Sequence, residues 1–253
     1  MDVHAYLARI DYHASTEPTI DTLRGLHRAH LFAVPFENLD IEAGRKIVLD
    51  ESKLLSKVVD QRRGGFCYEL NGAFAALLRT LGFSVTLLSA RVSREKGGEG
   101  PEFDHLALRV DIGGDPEDPW LSDVGFGDSF LEPLRLQTRI EQHDPAGKFR
   151  LRRIAERLQL DRLNAEGVWR RQYSFTLEPR QLSDFAAMCH YHQTSPESHF
   201  TQNRICSRAT PDGCLTLSGM KWIVTRNGHL NEEVLNSEEE RTRILREQFG
   251  IRL

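Results

Sequence analysis

Arg63-Gly64-Gly65-Phe66-Cys67-Tyr68-Glu69-Leu70-Asn71 is the stretch on which the fold turns. Two glycines precede a thiol. From there apolar residues recur at three- and four-residue spacing, through Phe66, Leu70, Phe74, Leu77, Leu78 and Leu81. That period marks an amphipathic helix, so the sulfur is expected in the first helical turn. Unpaired N–H groups and the positive dipole end at that position favour a thiolate, which is the nucleophilic form of cysteine. The glycines let backbone or substrate come close. Leu81-Gly82 supplies a C-terminal stop.

Upstream of this segment the chain also reads as helix. Leu23, Leu26, His27 and His30 share one face before the Val34-Pro35 break. Residues 52–62 carry Leu54, Leu55, Val58 and Val59, with Asp50 or Ser52 as the N-cap. Downstream, from Phe83, the period changes to two. Strands are predicted over 84–92, 105–112, 120–125, 149–154, 156–163 and 168–175, with a loop through Gly97, Gly98, Gly100 and Pro101 and a turn over 113–119. The charged run 150–162 is read as strand because Asn164-Ala165-Glu166-Gly167 forms a hairpin turn between two alternating runs. Regularly spaced strands imply a barrel or sandwich. Residues 184–191 read as helix, 215–225 as strands, and Asn227-Gly228 as a turn. The C-terminal helix, 237–249, begins with Ser237 as N-cap and Glu240 completing a capping box. These periods alone define an α+β chain with two or three subdomains.

Composition narrows the function. The 253 residues carry a formal charge of −4, which gives no general attraction to nucleic acid or membrane. No apolar run has the length of a membrane span, and the N-terminus lacks a basic-then-apolar signal. Four unclustered cysteines do not form a disulfide framework, so a reducing cytoplasm is expected.

A base and an orienting group follow Cys67 in order. His105 lies in the alternating run Phe103-Asp104-His105-Leu106-Ala107-Leu108-Arg109-Val110. Asp123 lies in Trp120-Leu121-Ser122-Asp123-Val124-Gly125-Phe126-Gly127, an otherwise apolar strand closed by glycines. A buried carboxylate needs a partner, and an imidazole supplies one. Cysteine, histidine and carboxylate from separate elements form a triad in which the ring takes the thiol proton and the acid fixes its tautomer. Asp111, Asp115, Asp118 and Asp128 compete for the acid's role but read as turn or solvated carboxylates. In a regular strand Asp104 faces away from His105, so it is a poor orienting partner.

The segment from Arg63 to Asn71 resembles the nucleophile signature of the arylamine N-acetyltransferase family. His105 and Asp123-Val124-Gly125-Phe126-Gly127 follow in that family's order. Tyr6 to Ile10 resembles its first helix, Val34-Pro35-Phe36-Glu37-Asn38-Leu39 its loop beside the active site, and Thr194 to Phe200 the segment that brings a pocket phenylalanine from the third domain. The resemblance implies an α+β fold with three parts: a helical bundle over 1–83 carrying the cysteine, a β-barrel over 84–180 carrying His105 and Asp123, and an α/β lid over 181–253. It implies acetyl transfer from acetyl-CoA, as co-substrate, to arylamines, arylhydrazines or N-hydroxyarylamines through an acetyl-cysteine in ping-pong fashion, without a metal. Phe36, Phe126 and Phe200 are then aromatic walls for the acceptor ring. The backbone of Gly125, Phe126 and Gly127 meets the coenzyme's pyrophosphate, and Arg9, Glu37 and Arg63 form an ion-pair network under the nucleophile loop. The Cys67 N–H is one expected oxyanion donor, with a second near Phe66 or in 103–105. The family more often carries a small or neutral residue before the histidine, so Asp104 is expected to alter the rim of the pocket.

Three rivals share these residues. An amide synthase would close a macrocyclic amide from a polyketide thioester with the same triad. A thiol hydrolase would admit water to the acyl-enzyme. A redox or binding module would use Cys67 without catalysis. Cys189, Cys206 and Cys214 read as structural, Cys189 standing where the family often carries a polar amide. Cys189-His190-Tyr191-His192 with His199 lacks zinc spacing and reads as a helix ending beside the pocket.

Overall fold

Polar caps meet apolar stripes where the first helices begin. The Asp2 carboxylate accepts the Ala5 N–H at 3.0 Å and starts α1, Val3–Arg9. Thr19 Oγ1 accepts the Thr22 N–H at 3.3 Å and starts α2, Ile20–Ala33. A two-residue strand β1, Phe36–Glu37, and a single turn α3, Leu39–Glu42, follow. Asp50, not Ser52, caps α4, Glu51–Leu55. The helix expected over 52–62 then widens into a π-helical turn, Ser56–Asp60, in which the Gln61 N–H reaches the Ser56 carbonyl five residues back at 3.0 Å. Helix α5, Cys67–Thr80, runs through the centre. It is buried from Cys67 to Leu78, so the helix read as amphipathic is enclosed on all sides. The structure, a computed structural model, describes residues 1–94, 97–113 and 118–252. Asp115 and most of the turn expected at 113–119 lie outside the described residues.

Eight strands form the central sheet: β2 Ser84–Val92, β3 His105–Asp111, β4 Trp120–Ser122, β5 Leu134–Arg135, β6 Glu141–Asp144, β7 Gly147–Ile154, β8 Arg157–Leu163 and β9 Trp169–Phe175. Their order is β5-β4-β3-β2-β9-β8-β7-β6, every neighbouring pair antiparallel. The two ends approach each other at a seam bridged by one side chain: Gln142 accepts the Arg135 N–H at 2.7 Å and donates to its carbonyl at 2.9 Å. The sheet is therefore a nearly closed barrel. Leu88, Ala90, Ala107, Leu121, Phe149, Leu151, Leu160 and Tyr173 fill it. The opposite faces of β2 and β3, through Leu87, Leu106, Leu108 and Val110, join the core around α5. This double burial holds β3 against the nucleophile helix. The charged run 150–162 is strand as expected, and the Asn164 N–H bonds the Val168 carbonyl at 3.0 Å across the hairpin turn. The strand expected over 120–125 stops at Ser122, leaving Asp123 at the start of a loop.

A 3₁₀ turn, Leu182–Phe185, leads into α6, Ala186–Thr194, and α7, His199–Gln202. Then come β10 Ile205–Thr210, β11 Gly213–Ser218, β12 Lys221–Arg226, β13 His229–Val234 and α8 Glu238–Phe249. The sheet order is β1-β10-β11-β12-β13, so Phe36 and Glu37 from the first third of the chain form its edge. Asn227 (φ 49°) and Gly228 (φ 79°) make the β12–β13 turn in the left-handed region that such hairpins require. Ser237 caps α8, but the Glu240 carboxylate accepts the Asn236 N–H at 3.0 Å, one residue earlier than a standard capping box. Among the described residues no helix is long and apolar enough to cross a membrane.

Candidate active site

Cys67 is the first residue of α5 and is 3% exposed. Burial pushes its thiol well above the ordinary range, and the Leu106 N–H pulls it the other way. Burial therefore works against the thiolate that the helix start favours. The sulfur needs a cation beside it. His105 opens β3 and lines the same cavity as Cys67.

The His105 ring is fixed from behind. Its Nε2 lies 2.7 Å from Asp123 Oδ2, with both residues buried. An Nε2–H donated to the carboxylate leaves Nδ1 as the ring's acceptor. Asp123 Oδ1 accepts from Asn71 Nδ2 at 2.8 Å and from the Gly125 N–H at 3.0 Å. Burial raises the Asp123 pKa, but His105, Asn71 and the Gly125 N–H outweigh it, and the net direction is down. The acid is held ionised by its donors.

Two residues that sequence reasoning left aside set this position. Asn71 lies one helical turn after Cys67. Its amide donates to the Leu106 carbonyl at 2.7 Å as well as to Asp123, and its oxygen accepts the Val124 N–H at 2.9 Å. It therefore ties α5 to β3 and to the loop after β4. His27, on α2, bonds the Leu131 carbonyl through Nδ1 at 2.8 Å and accepts the Asp123 N–H at Nε2 at 3.1 Å. Asn71 stood in the quoted motif, and nothing in its spacing revealed which way it faces. His27 read as one more residue of an apolar face.

Beneath Cys67 the expected ion-pair network is present with different members. Arg63 donates to Glu37 at 2.7 Å and lies 3.1 Å from Asp40. Lys57 bridges Asp40 at 2.8 Å and Glu69 at 2.7 Å. Glu69 Oε2 also accepts the Phe66 N–H at 3.1 Å, so that N–H is taken and Phe66 is no oxyanion donor. Three carboxylates face two cations. Burial pushes Glu69 up to about 7 against the pull of Lys57, while the three acids together raise Lys57 despite its own burial. Arg9 does not join them. Its guanidinium donates to the carbonyls of Val58, Ala33, Arg62 and Arg63 and clamps the end of α2 and the π-helical turn to the loop before Cys67.

The cavity at Cys67 has a volume of about 960 Å³. Phe36, Phe126, Phe200 and Gly125 line it together with Cys67 and His105. The Phe126 ring centroid is 5.2 Å from that of His105, and those of Phe36 and Phe200 are 6.1 Å apart. Gly127 lines a second cavity of about 380 Å³, and Phe126 lines both. Asp104 also faces the first cavity. Phe103, at φ 65°, turns the chain just before β3, so the regular strand alternation expected at Asp104 does not hold. Among the described residues no cluster of three or more His, Cys, Asp or Glu is placed to hold a metal ion.

Known proteins share this fold over nearly the whole chain. A family profile described as N-acetyltransferase matches residues 19–253. An arylamine N-acetyltransferase / N-hydroxyarylamine O-acetyltransferase of Salmonella typhimurium is 38% identical over 252 residues, covering 98% of this chain and 88% of the relative. An Escherichia coli arylamine N-acetyltransferase is 36% identical over 249 residues, covering 97% and 87%. Among solved structures, the Mycobacterium marinum arylamine N-acetyltransferase in complex with CoA superposes with a TM-score of 0.92 at 33% identity, covering 99% of this chain and 93% of the other. An α+β fold with helices on a near-closed barrel, shared at this similarity with such relatives, defines an acyltransferase enzyme. The chain belongs to the arylamine N-acetyltransferase family.

Proposed function

We propose that the chain moves an acetyl group from acetyl-CoA to the nitrogen of arylamines, arylhydrazines or N-hydroxyarylamines, with Cys67 as carrier and His105 and Asp123 completing a triad. The observation that carries this reading is the buried His105–Asp123 pair at 2.7 Å, with His105 and Cys67 on one cavity wall. In the first half-reaction the Cys67 proton passes to His105 Nδ1 and Sγ attacks the thioester carbon. The carbon–sulfur bond to coenzyme A breaks, and the leaving thiolate recovers the proton from the imidazolium. In the second half-reaction the amine attacks the acetyl carbon and gives its proton to His105. The bond to Sγ breaks and the cysteine is restored. Two half-reactions through one covalent intermediate give ping-pong kinetics. The Cys67 N–H, free at the first position of a helix, is a donor for the oxyanion.

The half-buried rings of Phe36, Phe126 and Phe200 suit a flat aromatic acceptor. The Gly125-Phe126-Gly127 backbone, reaching from the first cavity to the second, is assigned to the coenzyme's pyrophosphate; the Mycobacterium marinum relative was solved with CoA. Residues 1–83, 84–180 and 181–253 act in this scheme as nucleophile bundle, base-carrying barrel and lid. Four free cysteines suit a reducing cytoplasm.

Intact-mass measurement after mixing with acetyl-CoA, followed by peptide mapping, should place one acetyl group on Cys67. The Cys67→Ala variant should accept none and leave p-anisidine unacetylated. Appreciable turnover by that variant would overturn the mechanism. Rapid loss of the acetyl group without amine would favour a hydrolase, and absence of any adduct a non-catalytic thiol. An acetylated enzyme that leaves simple anilines untouched would favour the macrocyclic amide synthase.

A further inference from the structure

The geometry points to Asp104 as a charge selector for the acceptor amine: its carboxylate, set in the wall of the Cys67 cavity, favours arylamines bearing a positive group and disfavours those bearing a carboxylate. This rests on the arylamine reading of the cavity and adds the substrate class. Three features surround the carboxylate and its backbone. Gly100 packs closely on it, since a Cβ at residue 100 would lie 2.0 Å from Asp104 Oδ2. His192 of α6 brings Nε2 to 3.3 Å from Asp104 Oδ1. The Tyr68 hydroxyl, one residue from Cys67, reaches the carbonyls of Phe103 at 2.7 Å and Asp104 at 3.3 Å.

The other charged or titratable groups on this wall are differently placed. Arg94, Glu197 and His199 are exposed at the rim, where water screens them. His105 is committed to Asp123. His192 is buried, with Nδ1 at 3.2 Å from Ser198 Oγ. Asp104 has a side chain only 16% exposed, and its field reaches the nucleophile, where it is one of the groups pushing the Cys67 thiol up. A carboxylate walled by protein acts on a bound ion through a lower dielectric than water provides. Selection here is largely repulsion of the wrong acceptor.

The experiment compares kcat/KM for three acceptors, 4-aminobenzoate, p-anisidine and (4-aminophenyl)trimethylammonium, in the unaltered enzyme and in Asp104→Asn. Each rate is taken relative to p-anisidine on the same protein. Comparing the same amines on both proteins cancels their intrinsic nucleophilicity. The relative rate of 4-aminobenzoate should rise about tenfold in Asp104→Asn and that of the cationic amine should fall about tenfold, the effect of a unit charge several ångströms away at an effective dielectric of about 20. Where Asp104→Asn does not fold, Asp104→Ser gives the second measurement, with the same two shifts expected from loss of the carboxylate charge. Selectivities that do not move in either experiment overturn the role of Asp104 while p-anisidine turnover leaves the arylamine reading standing. Failure of the unaltered enzyme to acetylate any of the three amines sinks both.

Discussion

At position 67 two effects oppose each other. The helix start offers N–H donors, while complete burial penalises the anion. Burial prevails for the sulfur alone, so the thiolate is expected only as one half of an ion pair with protonated His105. Asp123 then matters through what it does to the ring. An asparagine at 123 would be isosteric, but its amide can donate to Nε2 and hold His105 in the wrong tautomer. Asp123→Asn should lower kcat by roughly 10³–10⁴-fold, as replacing the buried acid does in a serine triad, with thermal stability nearly unchanged. Single-turnover acetylation and a melting curve on the same sample check both halves. Turnover within tenfold of the unaltered enzyme would remove Asp123 from the mechanism. Cys67, His105 and Asp123 were legible because a short motif and its order carry them. Asn71 and His27 were not, because their meaning lies in which way a helix faces. A buried imidazole that accepts the Asp123 N–H has the same sequence appearance as one filling space.

The elements that hold the site are joined by close backbone approaches. A Cβ on Gly64 would lie 1.9 Å from the Pro35 carbonyl oxygen, and one on Gly125 would lie 2.8 Å from Cys67 Cα. The first contact seats the nucleophile loop on β1, where the Glu37 N–H bonds the Gly65 carbonyl at 2.9 Å. Backbone cannot yield as a flexible side chain does. Gly64→Ala should therefore destabilise by about 2–3 kcal/mol and lower the melting temperature by roughly 5–10 °C. Calorimetry reads this directly, and an unchanged melting temperature would mean the loop has room that the structure denies. Long periodic strands such as β2, β8 and β9 were readable to within a residue or so. The two-residue strands β1 and β5 carry no period at all. Strand β6 is Glu-Gln-His-Asp, and every residue of β13 is exposed, so no apolar alternation marks either one. Helix α5 misled in the opposite sense. Its polar residues are buried through specific bonds, Glu69 to Lys57 and Asn71 to Asp123, which a count of apolar positions cannot register.

On the scale of the molecule, helical layer and barrel meet on buried imidazoles. His27 spans the junction from α2 to the loop after β4, faced by Asp123, by His30 on its own helix and by the rings of Phe74 and Phe130. Burial lowers its pKa from 6.5 to about 4, with the Leu131 carbonyl and the Asp123 charge resisting. In this window the unfolded chain binds the proton and the folded chain does not. The stabilisation from neutral His27 is complete above pH 6.5 and is lost as pH falls toward 4. A shift of this size corresponds to about 3 kcal/mol. Glu69, raised by burial to about 7, has the opposite slope, so the total profile is a poor probe of either group. Glutamine at 27 offers the same two bonds, an amide donor to Leu131 and an oxygen for the Asp123 N–H, without the titration. The melting temperature of the unaltered protein should therefore fall more steeply between pH 7 and pH 4.5 than that of His27→Gln. Contributions from Glu69 and other sites remote from residue 27 cancel in the difference. Calorimetric melting of both proteins across that range measures it, and parallel curves would show that the junction between helices and barrel does not depend on an uncharged ring.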